Sequence, residues 1–425
     1  MRINEIWIEE EKNRVKLCAN IKLEPNTIEK WKRNTRSIDK KIFDRYRTDY
    51  LSEGKKFTLW YSVPKKYEYA LCPERSDAFV VACLYFAIIA EEDIECMKPL
   101  TKGLLYQINK VIIPAMNCQD NNLRPIRVFA EEAEEITKVE HFNGTGASCG
   151  VDSFSTILLH LEDSVPKGNR LTHLAVFNTG ALGYDGYSKE ISLKKWRKNT
   201  LPEYHGRIQS GSKVAEELGL DFIDVDSNLP EFYQGAFAFS HNLRNCSAVL
   251  ATQKMWDNYY YASAGLGLIL RPSLKEDAAT ADMLVLPNIS TPTLHFYSGG
   301  ASMPRIKKTI YISDNPIVQK YINVCAYETE NCGHCVKCIR TMMALDIIGK
   351  LELFNVSFPH QEFYKKNRWK ELGNVLDKNN KDLFMQELRE YIIENSIDVG
   401  RKAKFYHILK PIRKIRVAII NAGRK

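Results

Sequence analysis

The chain has 425 residues, of which 44% are apolar, 11% aromatic and 26% charged, with 22 glycines and 16 prolines. This is a globular composition long enough for two or three domains, and it excludes collagen-like, low-complexity and mainly disordered architectures. The formal net charge is +8, but the nine basic residues between Gly400 and Lys425, where no acid occurs, exceed it, and the other 399 residues carry −1. Only that tail can support a nucleic-acid argument.

The N-terminus, MRINEIWIEEEKN, has acids where a secretory signal needs an apolar core, so export is not expected. The longest apolar run, Ala78 to Ala90, has 13 residues, against about 20 for a bilayer span, and reads as a buried segment. Eleven cysteines, several within apolar stretches, fit a reducing cytoplasm.

In chain order, Ile3 to Leu23 alternates around a charged break at Glu9 to Asn13 and predicts a hairpin. Phe57 to Val63 reads as a strand and Ser76 to Ile89 as a buried helix. A short strand near Ile94, a helix from Thr101 to Ile112 and a strand Ile126 to Ala130 follow. Residues 1–135 are taken as an α/β accessory domain. From about Ile136, strands alternate with helices, the pattern of a parallel sheet. The expected elements are strands Leu174 to Asn178, Phe222 to Val225 and Tyr259 to Ala264, and helices Ile208 to Leu218 and His241 to Trp256. Residues 136–346 form this domain, and 347–425 a helical region ending in the basic tail.

Asn143 to Ser153, NGTGASCGVDS, places glycines and small hydroxylated residues ahead of a helix running FSTILLHL. Such a turn frees backbone N–H groups beside the positive helix end and forms an anion cradle; no lysine follows in the Walker manner. Cys149 is expected in an ordinary backbone region, with Gly150 supplying any unusual dihedral. A second pattern, C-x6-C-x2-C-x2-C, comprises Cys325, Cys332, Cys335 and Cys338, with Gly333 easing the turn. Four soft ligands in 14 residues suit a closed tetrahedral Zn²⁺ site, an iron–sulfur cluster being the rival. His334 reads as a surface residue. Arg305, Lys307 and Lys308 are either phosphate-facing cations or a solvated basic face.

SCGVDS, Ser148 to Ser153, resembles the S-G-G-x-D-S loop of the N-type ATP pyrophosphatases (the PP-loop superfamily). With the cysteine knuckle and HNLRNCSAVL between them, the chain resembles the 7-cyano-7-deazaguanine synthase family over roughly residues 140–345. The resemblance implies a Rossmann-like, adenine nucleotide alpha hydrolase-like parallel sheet with a zinc knuckle. It implies a cytoplasmic ligase that uses ATP and Mg²⁺ to activate a carboxylate as an acyl-adenylate for attack by a nitrogen nucleophile. Ser148, Cys149, Gly150, Val151, Asp152 and Ser153 would hold phosphate, with Asp152 capping the helix or orienting Mg²⁺. Asn178, Thr179, Asn245, Ala264 and Gly265 would lie beside adenine and ribose, and Arg244 with Asp152 and Ser153 would serve the chemistry. Arg244 and Asn245 are expected at the start of their helix. The synthase's substrate-reading segment is absent; Arg271 to Asp282 stands there, where Asp277 and Asp282 either bind a purine-like edge or face water. Relatives of this kind occur in bacterial anti-phage islands.

The resemblance implies a small or protein-borne carboxylate as acceptor, and a homodimer or partner subunits are compatible with the sequence. The tail admits an RNA arm, an acidic-lipid surface or a helix packed on the body, the last being preferred. An RNA-modifying adenylator or thiolase and a non-catalytic nucleotide-binding subunit are the alternative functions.

Overall fold

Alternating apolar residues in the first 22 positions pair as expected. In the computed structural model, β1 (Arg2–Glu10) and β2 (Arg14–Lys22) form an antiparallel hairpin that buries Ile3, Ile6, Val15, Leu17 and Ile21. β3 (Lys56–Pro64) continues the sheet along β2 over nine residue pairs. The helix Asp77–Ile89 has no polar stripe, and all of its residues are buried. Its first turn is anchored by Asp77, whose carboxylate accepts from the backbone N–H (2.9 Å) and hydroxyl (2.6 Å) of Thr101 and from Gln253 (3.1 Å). Burial raises the pKa of that carboxyl, and the hydrogen bonds oppose the rise.

The structure describes residues 1–38, 56–118, 123–182, 192–265, 274–325 and 327–408. Residues 409–425, most of the basic tail, and 271–273 of the Arg271 to Asp282 segment lie outside them. The short strands β4 (Ile94–Cys96), β5 (Leu100–Thr101), β6 (Val128–Phe129) and β7 (Glu132–Ala133) precede β8 (Phe142–Gly146), β9 (His173–Phe177), β10 (Asp221–Ser227), β11 (Trp256–Ala262) and β12 (His295–Gly299). One ten-stranded sheet has the order β12-β11-β8-β9-β10-β3-β2-β1-β4-β6. The run β12-β11-β8-β9-β10 is parallel, β10 to β1 is antiparallel, and β4 and β6 add parallel strands. The class is therefore α/β, with a large, mostly parallel sheet of Rossmann-like character.

Several expected elements shift. The helix of residues 193–218 starts fifteen residues before the expected Ile208, because Pro202 is accommodated inside it. The expected helix His241 to Trp256 is Phe237–Ala251, a short 3₁₀ turn, and then Trp256 as the first residue of β11. The strand β12 was not anticipated.

By contacts the chain divides into two units, residues 1–148 with 156–302, and 149–155 with 303–425. The first holds every strand of the sheet. The boundary expected at 135 lies inside it, and that at 346 lies inside the second unit. The second unit is helical, with helices Arg305–Ile312, Val336–Ile347, Glu362–Val375 and Leu383–Glu394 around Met342, Met343, Leu345, Phe354, Tyr364 and Leu372. Among the described residues no helix is long and apolar enough to cross a membrane.

Candidate phosphate loop and cysteine knuckle

The glycine-rich segment begins as a strand, not as a loop. Asn143 to Gly146 belong to β8, and Asn143, Gly144 and Thr145 are buried. Small residues are required there because a Cβ on Gly144 would lie 2.7 Å from the Trp256 ring, so the indole of β11 fills the space beside β8. After Ala147, whose N–H donates to the Ala175 carbonyl at 2.7 Å, the chain turns through exposed Ser148 into Cys149, Gly150 and the helix Val151–Leu159.

Cys149 corrects the expectation for this turn. Its φ is +57°, in the left-handed region, whereas Gly150 is not among the positive-φ residues. A cysteine thus occupies the dihedral that the first glycine of the resembled loop would take freely, and its side chain is buried. Ser153 is buried as well.

Within the second unit, Asp152 meets two cations. Arg305 donates to one carboxylate oxygen and Lys308 to the other, the latter at 3.3 Å. Arg305 and Lys308 stand three residues apart on one helix and so share a face; Lys307 is exposed, so a solvated basic face describes that residue alone. The Lys308 side chain is fully buried, and desolvation lowers its pKa while Asp152 raises it. The Arg305 backbone N–H donates to Glu387 at 2.8 Å. The Arg305 and Arg340 guanidinium groups both lie on the Phe384 ring, 4.5 and 4.6 Å from its centre, and Arg340 pairs with Asp382. Burial raises the Glu387 pKa. Asp152 is therefore turned toward Arg305 and Lys308.

In the first unit, Asn178 and Thr179 follow the carboxyl end of β9, where parallel sheets bind ligands. Asn178 donates to Asp226 at 2.7 Å, and Asp226 pairs with Arg197 at 2.6 Å. Asp224 and Asp226, two residues apart on β10, share a face; this D-x-D alternation was the readable signal for the cluster. Thr179 donates to Asn245, Asn245 donates to the Tyr261 hydroxyl (3.3 Å), and that hydroxyl meets His241 Nδ1 at 2.6 Å. His241 Nε2 is 3.0 Å from Asp277. Asp277 also caps a 3₁₀ turn through Ala279 N–H, and Asp282 is fully buried and accepts from Asn242, so Asp282 does not face water.

Arg244 lies mid-way along Phe237–Ala251, not at its start, and is 1% exposed. Its guanidinium stacks on Tyr233 at 4.6 Å and donates to the Gly235 carbonyl at 2.9 Å. A Cβ on Gly180, whose φ is +120°, would fall 2.0 Å from Arg244 Nη2; the glycine lets the β9 end approach the guanidinium. Ala264 and Gly265 follow β11, which ends at Ala262, and Gly265 N–H donates to Ser263 Oγ at 3.1 Å.

The four cysteines converge as their spacing requires. The Sγ atoms of Cys325, Cys332, Cys335 and Cys338 lie within 4.8 Å of one another, and all four residues are buried. Cys335 caps the helix Val336–Ile347, accepting from Cys338 N–H at 3.4 Å, and Cys332 Sγ accepts from Cys335 N–H at 3.4 Å. Gly333 has φ +74°, and a Cβ there would sit 1.9 Å from the His360 carbonyl oxygen. Burial raises the Cys325 pKa, but backbone N–H groups of Cys332, Tyr327 and Glu328 outweigh it and bring the thiol to about 7. This closed sulfur set can hold a metal ion, and soft thiolate donors with N–H···S support fit zinc. Glu328, His334 and Cys332 also approach one another, but Glu328 and His334 are exposed, as expected for His334.

Comparison with family models, with curated proteins and with solved structures gives no match.

Proposed function

We propose that this chain is an ATP-dependent, AMP- and pyrophosphate-forming ligase of the N-type pyrophosphatase kind, similar to 7-cyano-7-deazaguanine synthase. The observation that carries this reading is the SCGVDS turn between a buried parallel strand and a helix, with Asp152 of that turn met by Arg305 and Lys308. A strand–turn–helix of this kind offers backbone N–H groups and the positive helix end to a polyphosphate.

In this reading the hydroxyls of Ser148 and Ser153 donate to phosphate oxygens. A carboxylate oxygen of the acceptor attacks the α-phosphorus, the α–β bridging bond breaks and pyrophosphate leaves. Arg305 and Lys308 stabilise the charge that develops on the leaving group. The nitrogen nucleophile then attacks the acyl carbon, AMP departs, and the surplus proton passes to water. Holding the reactants in line does most of the work, so no dedicated acid or base is required. Magnesium, which would neutralise such a leaving group, arrives with the nucleotide. Within the sheet unit, Arg244 positions the β9 end. Zinc on the four thiolates clamps the knuckle and takes no part in the chemistry.

The test is incubation with MgATP and carboxylates, 7-carboxy-7-deazaguanine among them, with mass spectrometry for AMP, pyrophosphate and a changed acceptor. Ser148→Ala removes one exposed hydroxyl and should slow pyrophosphate release about tenfold. An unchanged rate in that variant would refute the assignment of the loop.

A further inference from the structure

Segment 149–155 groups by its contacts with the cysteine-bearing unit and not with the sheet that precedes it. Besides the Asp152 ion pairs, a backbone bond ties it there. The Asn323 backbone N–H donates to the Cys149 carbonyl at 2.7 Å. Among the described residues no peptide bond is cis, so with the Cys149 carbonyl directed at Asn323, the Gly150 N–H points the opposite way. The bond therefore fixes which way the first amide of the phosphate turn faces, and it holds Cys149 at a φ that its Cβ disfavours.

Asn323 stands two residues before Cys325. Its Oδ1 accepts from the Cys325 N–H at 3.2 Å, and its Nδ2 donates to the Thr329 carbonyl. Asn331, next to Cys332, accepts from Val324 N–H (2.9 Å) and donates to the Ile322 carbonyl (2.8 Å). The strap of residues 322–325 is thus held by the side chains of Asn323 and Asn331, one on each arm of the cysteine knuckle, and the two arms meet where Cys325 and Cys332 bring their sulfurs together.

We propose that the metal-loaded knuckle holds the phosphate loop in its binding conformation through Asn323, so that affinity for a polyphosphate depends on metal occupancy. The polyphosphate rests on the ligase reading; the mechanical link does not. Asn323 is a positioning residue, acting through the Cys149 carbonyl. When the metal is withdrawn, the strap loosens and Cys149 leaves the left-handed region, a preference corresponding to about tenfold in an equilibrium. Glycine at 149 holds that dihedral without support, so Cys149→Gly uncouples the loop from the knuckle.

Metal-loaded and chelator-treated full-length protein are titrated with MgATP and with inorganic pyrophosphate, and hydrogen exchange of amides 150–153 is followed in parallel. Chelation should weaken both ligands about tenfold in the wild type and less than threefold in Cys149→Gly, with faster loop exchange only in the wild type. Equal losses in the two proteins, or no loss in either, overturn the proposal. If the loaded protein binds neither ligand, the ligase reading fails, and exchange alone decides the link: rates at 150–153 unmoved by chelation overturn it. Should chelation also unprotect the helix Glu362–Val375, Asn323→Pro in metal-loaded protein, which removes the amide that donates to the Cys149 carbonyl, replaces it. This variant keeps all four thiols and should speed exchange at 149–153, and unchanged exchange refutes the link.

Discussion

At position 149 a side chain sits where the backbone favours none, at an expense of order 1 kcal/mol. The turn keeps its course because the Cys149 carbonyl is bonded to Asn323 and Asp152 is paired with Arg305 and Lys308. The sequence offered the motif but not this dihedral, since the restraining groups lie more than 150 positions away. At Gly333 the same reasoning succeeded from the sequence, because a tight turn between two cysteines leaves little choice. Gly333→Ala puts a Cβ against the His360 carbonyl at a left-handed φ, and it should lower the stability of the second unit by at least about 2 kcal/mol. Bound metal should fall well below one ion per chain. Thermal unfolding and metal analysis after dialysis check this, and a wild-type melting temperature with full metal content would contradict it.

Among the elements, those whose pattern was local were legible. The β1–β2 hairpin and the helix Asp77–Ile89 followed from alternation and from an unbroken apolar run. β8 escaped because Asn143, Gly144 and Gly146, three of the five residues of FNGTG, are types depleted in strands; the glycine at 144 answers the bulk of Trp256. At the start of β9, His173 is buried between Phe142 and Trp256. Desolvation, against the weaker pull of Asp221, lowers its pKa to about 4. The unfolded chain, with a histidine near 6.5, takes up this proton first as pH falls. The folded state is therefore fully favoured by this group above pH 6.5 and loses about 3 kcal/mol between there and pH 4. Urea unfolding should show a smaller drop in midpoint from pH 7 to pH 4.5 for His173→Gln than for the wild type. Parallel drops would show that His173 is not the titrating group.

For the whole molecule, strand alternation gave the class but not the join. The N-terminal strands continue the parallel sheet through only two pairs between β10 and β3, Asp226 with Ser62 and Ser227 with Tyr61. The join is reinforced by Arg14, which donates to Asp224 at 2.8 Å and to Ser62 Oγ at 2.9 Å. No local pattern encodes such a join, because Arg14 and Asp224, which reinforce it, are 210 residues apart. Nor does periodicity reveal that 149–155 groups with 303–425, which makes the loop and the knuckle parts of one unit. The central claim is that Ser148 to Ser153 receive the phosphates of ATP, and calorimetric titration of the intact, metal-loaded chain with MgATP tests it most directly. The account predicts saturable binding of one nucleotide per chain, weakened in Ser148→Ala; an absence of binding up to millimolar MgATP in folded protein would contradict it.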